Sequence, residues 1–233
     1  MTIKYFLCLF NPPHPCYNGK EVRKMERRDN YRIQADQAKQ RFLSYDQELL
    51  IRKLGLEADN TYLYTSLFRQ SYRIHRQTGS IERLHGGAWL DGNSFGEVMT
   101  LLDLVCDSRE DRFVKGNWKN MLSFGLMFHQ NLLEDSPDPW AARFEQNPAE
   151  LEQACLALGG TKLPQGDVCY AIEVFDGLPI AIQLWLGDEE FPSSLRFLWD
   201  ENATMYLKYE TMYYARGLLL NRLAEMTENT PKS

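Results

Sequence analysis

A chain of 233 residues with 44% hydrophobic residues is long enough to bury one substantial core. Its formal charge of −6 argues against nonspecific binding to nucleic acid or to anionic membrane, and its longest apolar runs are far too short to span a bilayer. Five cysteines, an odd number without zinc-finger spacing, read as reduced cytoplasmic thiols rather than a disulfide framework.

Residues 1–24 differ from the rest and read as an N-terminal arm or extension. Asn11-Pro12-Pro13-His14-Pro15 is incompatible with a helix or a central strand. An apolar run follows Lys4, but no small-residue cleavage site follows it, which argues against a signal peptide. Cys8, His14 and Cys16 are conceivable metal ligands, but three such residues in a proline-rich arm are weak evidence for a site. Met25 precedes a clean helix signal and could be an original translation start. Residues 25–228 are expected to form a single α+β domain, with 229–233 a disordered tail.

A helix is expected over residues 30–54, with Ala35, Ala38, Phe42, Tyr45 and Leu49 on one face and Gly55 as its stop. From residue 61 the period changes to two. Tyr62, Tyr64 and Ser66 alternate with Leu63, Thr65 and Leu67, and strands around Tyr72–Ile74 and residues 80–84 complete an antiparallel meander. Arg69, Arg73, His75, Arg76 and Arg83 make this the most basic stretch. It carries no nucleic-acid-binding signature, so a solvated sheet face is preferred to a nucleic-acid surface. His85-Gly86-Gly87 lacks the lysine and hydroxyl of a phosphate loop and reads as a turn.

Ser94 with Glu97 is a capping box, opening a helix whose buried stripe is Phe95, Val98, Met99, Leu102, Val105 and Cys106. Residues 107–119 read as loop. Apolar residues 124–128 precede His129, which reads as a structural histidine rather than a base. Asn147-Pro148-Ala149-Glu150 starts a further helix, with Asn147 as cap, and Gly159-Gly160 ends it.

Residues 166–192 form the sharpest local signal. Asp176-Gly177 between two apolar runs predicts a β-hairpin with a type I′ turn. A two-residue turn fixes the register: Phe175 pairs with Leu178, Glu173 with Ile180, Ala171 with Ile182 and Cys169 with Leu184 on one face. On the other, Val174, Ile172, Tyr170 and Val168 oppose Pro179, Ala181, Gln183 and Trp185. The same register sets Asp167 opposite Leu186, beside Asp188, Glu189 and Glu190. A strand over residues 195–199, a turn at Asp200 and Asn202, and a final helix over residues 208–226 follow. Arg216 lies within the apolar arc of that helix and is expected to pair with Asp200 or with the Asp188–Glu190 run.

The ordered series LGG (158–160), GD (166–167), LP (178–179), LW (184–185), DEEFP (188–192), D-x-x-A (200–203), YL (206–207) and Glu210 resembles a prokaryotic family catalogued as domain of unknown function 3786, over about residues 30–223. The resemblance implies a cytoplasmic protein of anaerobic bacteria or archaea. Some members are fused to an iron–sulfur domain, but this chain lacks clustered cysteine ligands, so that cofactor is not carried over. The family positions that map here are Asp167, Asp188, Glu189, Glu190, Phe191, Pro192, Asp200 and Glu210.

Asp167, Asp188, Glu189, Glu190, Asp200, Glu210 and Arg216 are therefore the candidate ligand or charge network. No catalytic residue, cofactor or metal ligand is assigned, and a protein partner stays open. The expected function is a noncatalytic accessory or interaction domain in anaerobic cofactor or corrinoid metabolism. One alternative is a small carboxylate-based enzyme, with or without a divalent metal, which needs two acids about 5–10 Å apart and one raised pKa. The other is a purely structural acidic cluster. The expected fold is α+β, with one antiparallel sheet combining meander and hairpin, packed by several helices.

Overall fold

The computed structural model describes residues 20–124 and 139–228, with side chains over 30–124 and 139–227. The expectations for residues 1–19, for residues 125–129 with His129, and for residues 229–233 lie outside the described residues. By its internal contacts the chain divides into Met1–Gln34 and Ala35–Ser233.

Helix α1 spans Lys20–Ser44 and α2 spans Gln47–Leu54. The single helix expected over residues 30–54 is thus two. The break is local chemistry. The Asp46 carboxylate accepts from the Glu48 N–H at 3.0 Å and the Leu49 N–H at 3.3 Å, capping a new helix before the old one can continue. The new helix has its own buried stripe, Leu50 and Leu54, which leaves Tyr45 and Leu49 exposed. Gly55, at φ +61°, ends α2 in the left-handed conformation.

The α+β class is what forms, but the strands make two sheets rather than one. The first is a consecutive antiparallel meander of β1 (Glu57–Ala58), β2 (Tyr62–Leu67), β3 (Gln70–His75), β4 (Ile81–His85) and β5 (Ala88–Leu90). Its inner face buries Leu63, Leu67, Tyr72, Ile74 and Ile81. The second comprises β6 (Trp118–Asn120), β7 (Thr161–Lys162), β8 (Val168–Phe175), β9 (Leu178–Trp185) and β10 (Ser194–Asp200), in the order β6-β10-β9-β8-β7. The sheets meet where the Phe68 N–H donates to the Val174 carbonyl at 2.9 Å.

The hairpin β8–β9 turns at Asp176 (φ +47°) and Gly177 (φ +77°), as a type I′ turn requires. Its register departs from the expected one. Phe175 faces Leu178, but a bulge at Val174 shifts every later pair by one residue: Glu173 faces Pro179, Ile172 faces Ile180, Tyr170 faces Ile182 and Val168 faces Leu184. The shift sorts the side chains. The regular register would set Ile172, Tyr170 and Val168 against Ala181, Gln183 and Trp185. The bulged one sets them against Ile180, Ile182 and Leu184, all fully buried. Pro179 lies just past Ile180–Trp199, the last β9–β10 pair, where its missing N–H costs the ladder nothing.

Four helices cover these sheets: α3 (Phe95–Asp107), α4 (Pro139–Glu145), α5 (Pro148–Ala157) and α6 (Tyr209–Glu228). α3 packs on α6, α5 packs on β8, and α4 lies against β9 and β10. The capping box of Ser94 and Glu97 forms. Asn147 does not cap α5 as expected: at φ −148° and ψ 78° its side chain makes no cap hydrogen bond, and Pro148 alone marks the start.

Candidate functional site

At the open end of the hairpin the acids act on backbone. The Leu186 N–H donates to Asp167 Oδ2 at 2.8 Å. Asp188 Oδ1 accepts from the N–H groups of Glu190 at 2.9 Å and Phe191 at 2.7 Å, and the Asp188 N–H returns a bond to the Phe191 carbonyl at 2.9 Å. The N–H groups of Phe191 and Glu190 hold the Asp188 carboxyl below its ordinary pKa. Glu145, from α4, accepts from the Gly187 N–H at 2.7 Å. A Cβ at position 187 would come within 2.9 Å of Glu145 Oε1 and 3.0 Å of the Ser193 nitrogen, so a larger residue would push on the Glu145 side chain and the loop backbone.

Tied in this way, the loop lines an open hollow of about 490 Å³ with Ala142, Glu145 and residues 187–193. It also displays apolar surface. Phe191 is 67% exposed, and Trp185 and Leu186 are exposed beside it. Glu189 and Glu190 are exposed as well. Asp167, Asp188, Glu189 and Glu190 thus lie at this end of the hairpin.

The remaining candidates lie elsewhere. β10 pairs with β9 from Ser194–Trp185 to Trp199–Ile180, so Asp200 falls at the turn end of the hairpin. Seven residues of strand at about 3.3 Å each put it roughly 20 Å from the acidic loop. It is 1% exposed. Its Oδ1 accepts from the N–H groups of Lys115 at 3.0 Å and Asn202 at 2.9 Å, and its Oδ2 from that of Gly116 at 2.7 Å. Asp200 therefore fixes the 115–117 loop against the end of β10. Glu210 is exposed in the first turn of α6. Arg216, half-buried on α6, stacks its guanidinium on the Phe197 ring, 4.8 Å from the centroid. The seven residues do not converge on a single site.

Two features were not legible as sites in the sequence. The first is a buried polar chain across the first sheet. Arg222 on α6 donates to the carbonyls of Leu67 at 2.7 Å and Phe68 at 3.1 Å, and to the Tyr72 hydroxyl at 2.7 Å. Tyr72 donates on to Glu97 Oε1 at 2.7 Å, and Arg83 lies 3.4 Å from the same oxygen. The chain braces the turn between β2 and β3, where Phe68 and Arg69 adopt φ of +50° and +61°. Burial pushes the Tyr72 hydroxyl pKa up. Burial also works to raise Glu97, but the bonds from Tyr72 and Ser94, with Arg83 nearby, hold it below its ordinary value.

The second is a groove of about 470 Å³ on the outer face of the meander. Tyr64 and Trp89 wall it on one side, Ser66 and Ser71 line it, and Glu57, Glu173 and Asp176 face it. The Tyr64 and Trp89 rings lie 6.0 Å apart, and the Arg73 guanidinium sits over Tyr62 at 4.0 Å and Trp89 at 4.7 Å. The alternation of Tyr62, Tyr64 and Ser66 marked this face; the hairpin wall opposite it left no local signal.

Cys106, Cys155 and Cys169 are buried free thiols, and burial pushes the Cys155 thiol up to about 12. Among the described residues there is no group of three or more histidine, cysteine or carboxylate side chains that could hold a metal ion. No described helix is long and apolar enough to cross a membrane. A family model described as Domain of unknown function (DUF3786) matches residues 46–222. No curated protein and no solved structure matches the chain.

Proposed function

The chain belongs to the DUF3786 family, and from that premise we propose that it is a noncatalytic accessory or interaction domain of anaerobic prokaryotic metabolism, working in the cytoplasm. The observation that carries this reading is the apolar surface exposed at the open end of the hairpin, where Phe191 is 67% exposed and Trp185 and Leu186 are exposed as well. Aromatic side chains dominate the energetics of protein interfaces. A loop already tied by Asp188 and Glu145 loses little freedom on binding, so its aromatic anchor is presented at low entropic cost.

The acids here act as supports. Asp167, Asp188 and Glu145 each accept backbone N–H groups, and the pKa of Asp188 is lowered rather than raised. A carboxylate enzyme needs one acid of a close pair with a raised pKa, and Asp200 stands at the far end of the strand from Asp188. The purely structural reading fits Asp200, and the interaction reading fits the exposed loop.

The test is site-specific photo-crosslinking in the native cell from a benzophenone amino acid at position 191. The expected result is one defined partner, identified by mass spectrometry, that rebinds as a purified protein. A Trp185→Ser, Phe191→Ser double variant should fold with an unchanged melting temperature and fail to bind that partner. A variant that binds the purified partner as tightly as wild type would overturn the reading, as would the absence of any crosslink.

A further inference from the structure

The first sheet ends at Leu90 and α3 starts at Phe95, and the link between them opens with an exposed Asp-Gly step. We propose that Asp91-Gly92 is a site of spontaneous covalent modification, at which the aspartate converts through a succinimide to isoaspartate. The other Asp-Gly step, Asp176-Gly177 at the hairpin turn, is protected from the same reaction by its partners.

The reaction closes a five-membered ring. The Gly92 nitrogen attacks Asp91 Cγ and gives up its proton to water. The N–Cγ bond forms, and one carboxyl oxygen, protonated by solvent, leaves as water. A water molecule then opens the ring. Addition at Cγ returns aspartate. Addition at the Asp91 main-chain carbonyl leaves the chain running through Cβ and Cγ, which is isoaspartate. No oxidant, reductant or cofactor takes part. Glycine favours the step because it has no side chain to shield its nitrogen.

Exposure does not separate the two steps. Both are exposed, and at both the glycine has positive φ, +96° at Gly92 and +77° at Gly177. At neither would a Cβ meet another atom within 4 Å. Hydrogen bonding does separate them. The Gly92 N–H donates to Asp91 Oδ1 at 2.7 Å, so the nitrogen already lies against the carboxyl group that it attacks. The Asp91 carboxylate makes no other hydrogen bond or ion pair among the described residues. At the hairpin both reacting groups are engaged elsewhere. The Gly177 N–H donates to Glu173 Oε1 at 2.8 Å. Asp176 Oδ2 is held by Nε and Nη2 of Arg112, at 2.6 Å and 2.5 Å. Ring closure there must first break these bonds.

The modification acts on the start of α3. Asn93 Nδ2 donates to the Ile81 carbonyl at 2.5 Å, and Ser94 and Glu97 form the capping box. Isoaspartate adds a methylene to the backbone immediately before these residues, so it shifts Asn93 and Ser94 relative to β4. Glu97, which accepts from the buried Tyr72 hydroxyl, is drawn into the same disturbance.

The test incubates the purified full chain in neutral, reducing buffer at physiological temperature. Peptides are mapped by electron-transfer fragmentation, which distinguishes isoaspartate from aspartate. Isoaspartate should accumulate at position 91 at least about tenfold faster than at position 176. In concentrated urea, where the bonds of the fold are gone, the two rates should converge. Arg112→Leu should speed conversion at position 176 in the folded chain and leave position 91 unchanged. Asp91→Glu, which would have to close a six-membered ring, should not convert at that position. Aged wild type should melt below the fresh chain, whereas aged Asp91→Glu should keep its melting temperature. Equal rates at the two positions in the folded chain overturn the proposal. So does the absence of isoaspartate at position 91 after an incubation that converts the urea-unfolded chain. Conversion with no change in melting temperature overturns the coupling to α3. If Arg112→Leu unfolds, the comparison with urea decides the protection of Asp176 alone.

Discussion

Asp200→Asn separates support from chemistry at a buried carboxylate. The wild-type carboxylate, 1% exposed, accepts three backbone N–H groups, those of Lys115, Gly116 and Asn202. Asparagine retains one oxygen, which can serve Lys115 and Asn202 as Oδ1 does now. Its amide NH₂ then faces the Gly116 N–H, donor against donor. A hydrogen bond to a charged group contributes about 1.5–3 kcal/mol, and an unsatisfied buried donor costs about 1–3 kcal/mol. Lys115 and Gly116 are exposed on their outer side, so water recovers part of this. The expected loss is about 1–3 kcal/mol, and at about 2–4 °C per kcal/mol for a chain of this size the melting temperature falls by roughly 2–12 °C. Asp200→Ala, which removes all three acceptors, should cost more than the asparagine variant. Urea denaturation gives the loss, and hydrogen exchange gives its location, because the Gly116 amide should lose protection before the sheet does. An asparagine variant within about 0.5 kcal/mol of wild type, with Gly116 still protected, would refute a supporting role for this carboxylate.

The polar chain across the first sheet makes two further predictions. Tyr72→Phe strips Glu97 and Arg222 of a shared partner inside the core and should destabilise by about 1–3 kcal/mol in urea titrations; a change under about 0.5 kcal/mol would mean that water takes over the hydroxyl's place. Glu97 contributes a pH dependence of known sign. Its folded pKa lies below the ordinary value of 4.5, so its stabilisation is complete above that value and is lost as the pH falls through the lower, folded one. The stability gap between wild type and Glu97→Gln should therefore narrow as unfolding is measured at successively lower pH below about 4.5. A gap that stays constant into strong acid would show that Glu97 does not gain from its charged form.

Local chemistry made part of this fold legible in the chain. The Ser94–Glu97 capping box, the Asp176-Gly177 turn, the two-residue alternation from Tyr62 and the apolar arc of the final helix all appear in the expected places. Where one local signal met another, reading failed. Asp46 falls inside the single helix expected over residues 30–54, yet its carboxylate caps a second one. Asn147 carried the right residue type for a cap and the wrong backbone angles. Of the candidate site, the gathering of Asp167 with Asp188, Glu189 and Glu190 followed from the hairpin alone, since both arms end there. Asp200 lies at the other end of the hairpin from them, because its place depends on how β10 runs past β9.

The sequence by itself determined the α+β class, the element types and the acidic end of the hairpin, because propensity, caps and turn chemistry act within a few residues. Tertiary structure decided the rest. It split the strands into two sheets, since pairing partners are chosen by packing and not by period. It placed a bulge at Val174, since only the buried face shows which register sorts large side chains against large ones. It sent Asp200 to the far end of the strand, where its carboxylate satisfies two N–H groups of a loop some 85 residues earlier. The groove between Trp89 and Glu173 exists only because the tip of one sheet reaches the outer face of the other, a meeting of residues with no proximity along the chain.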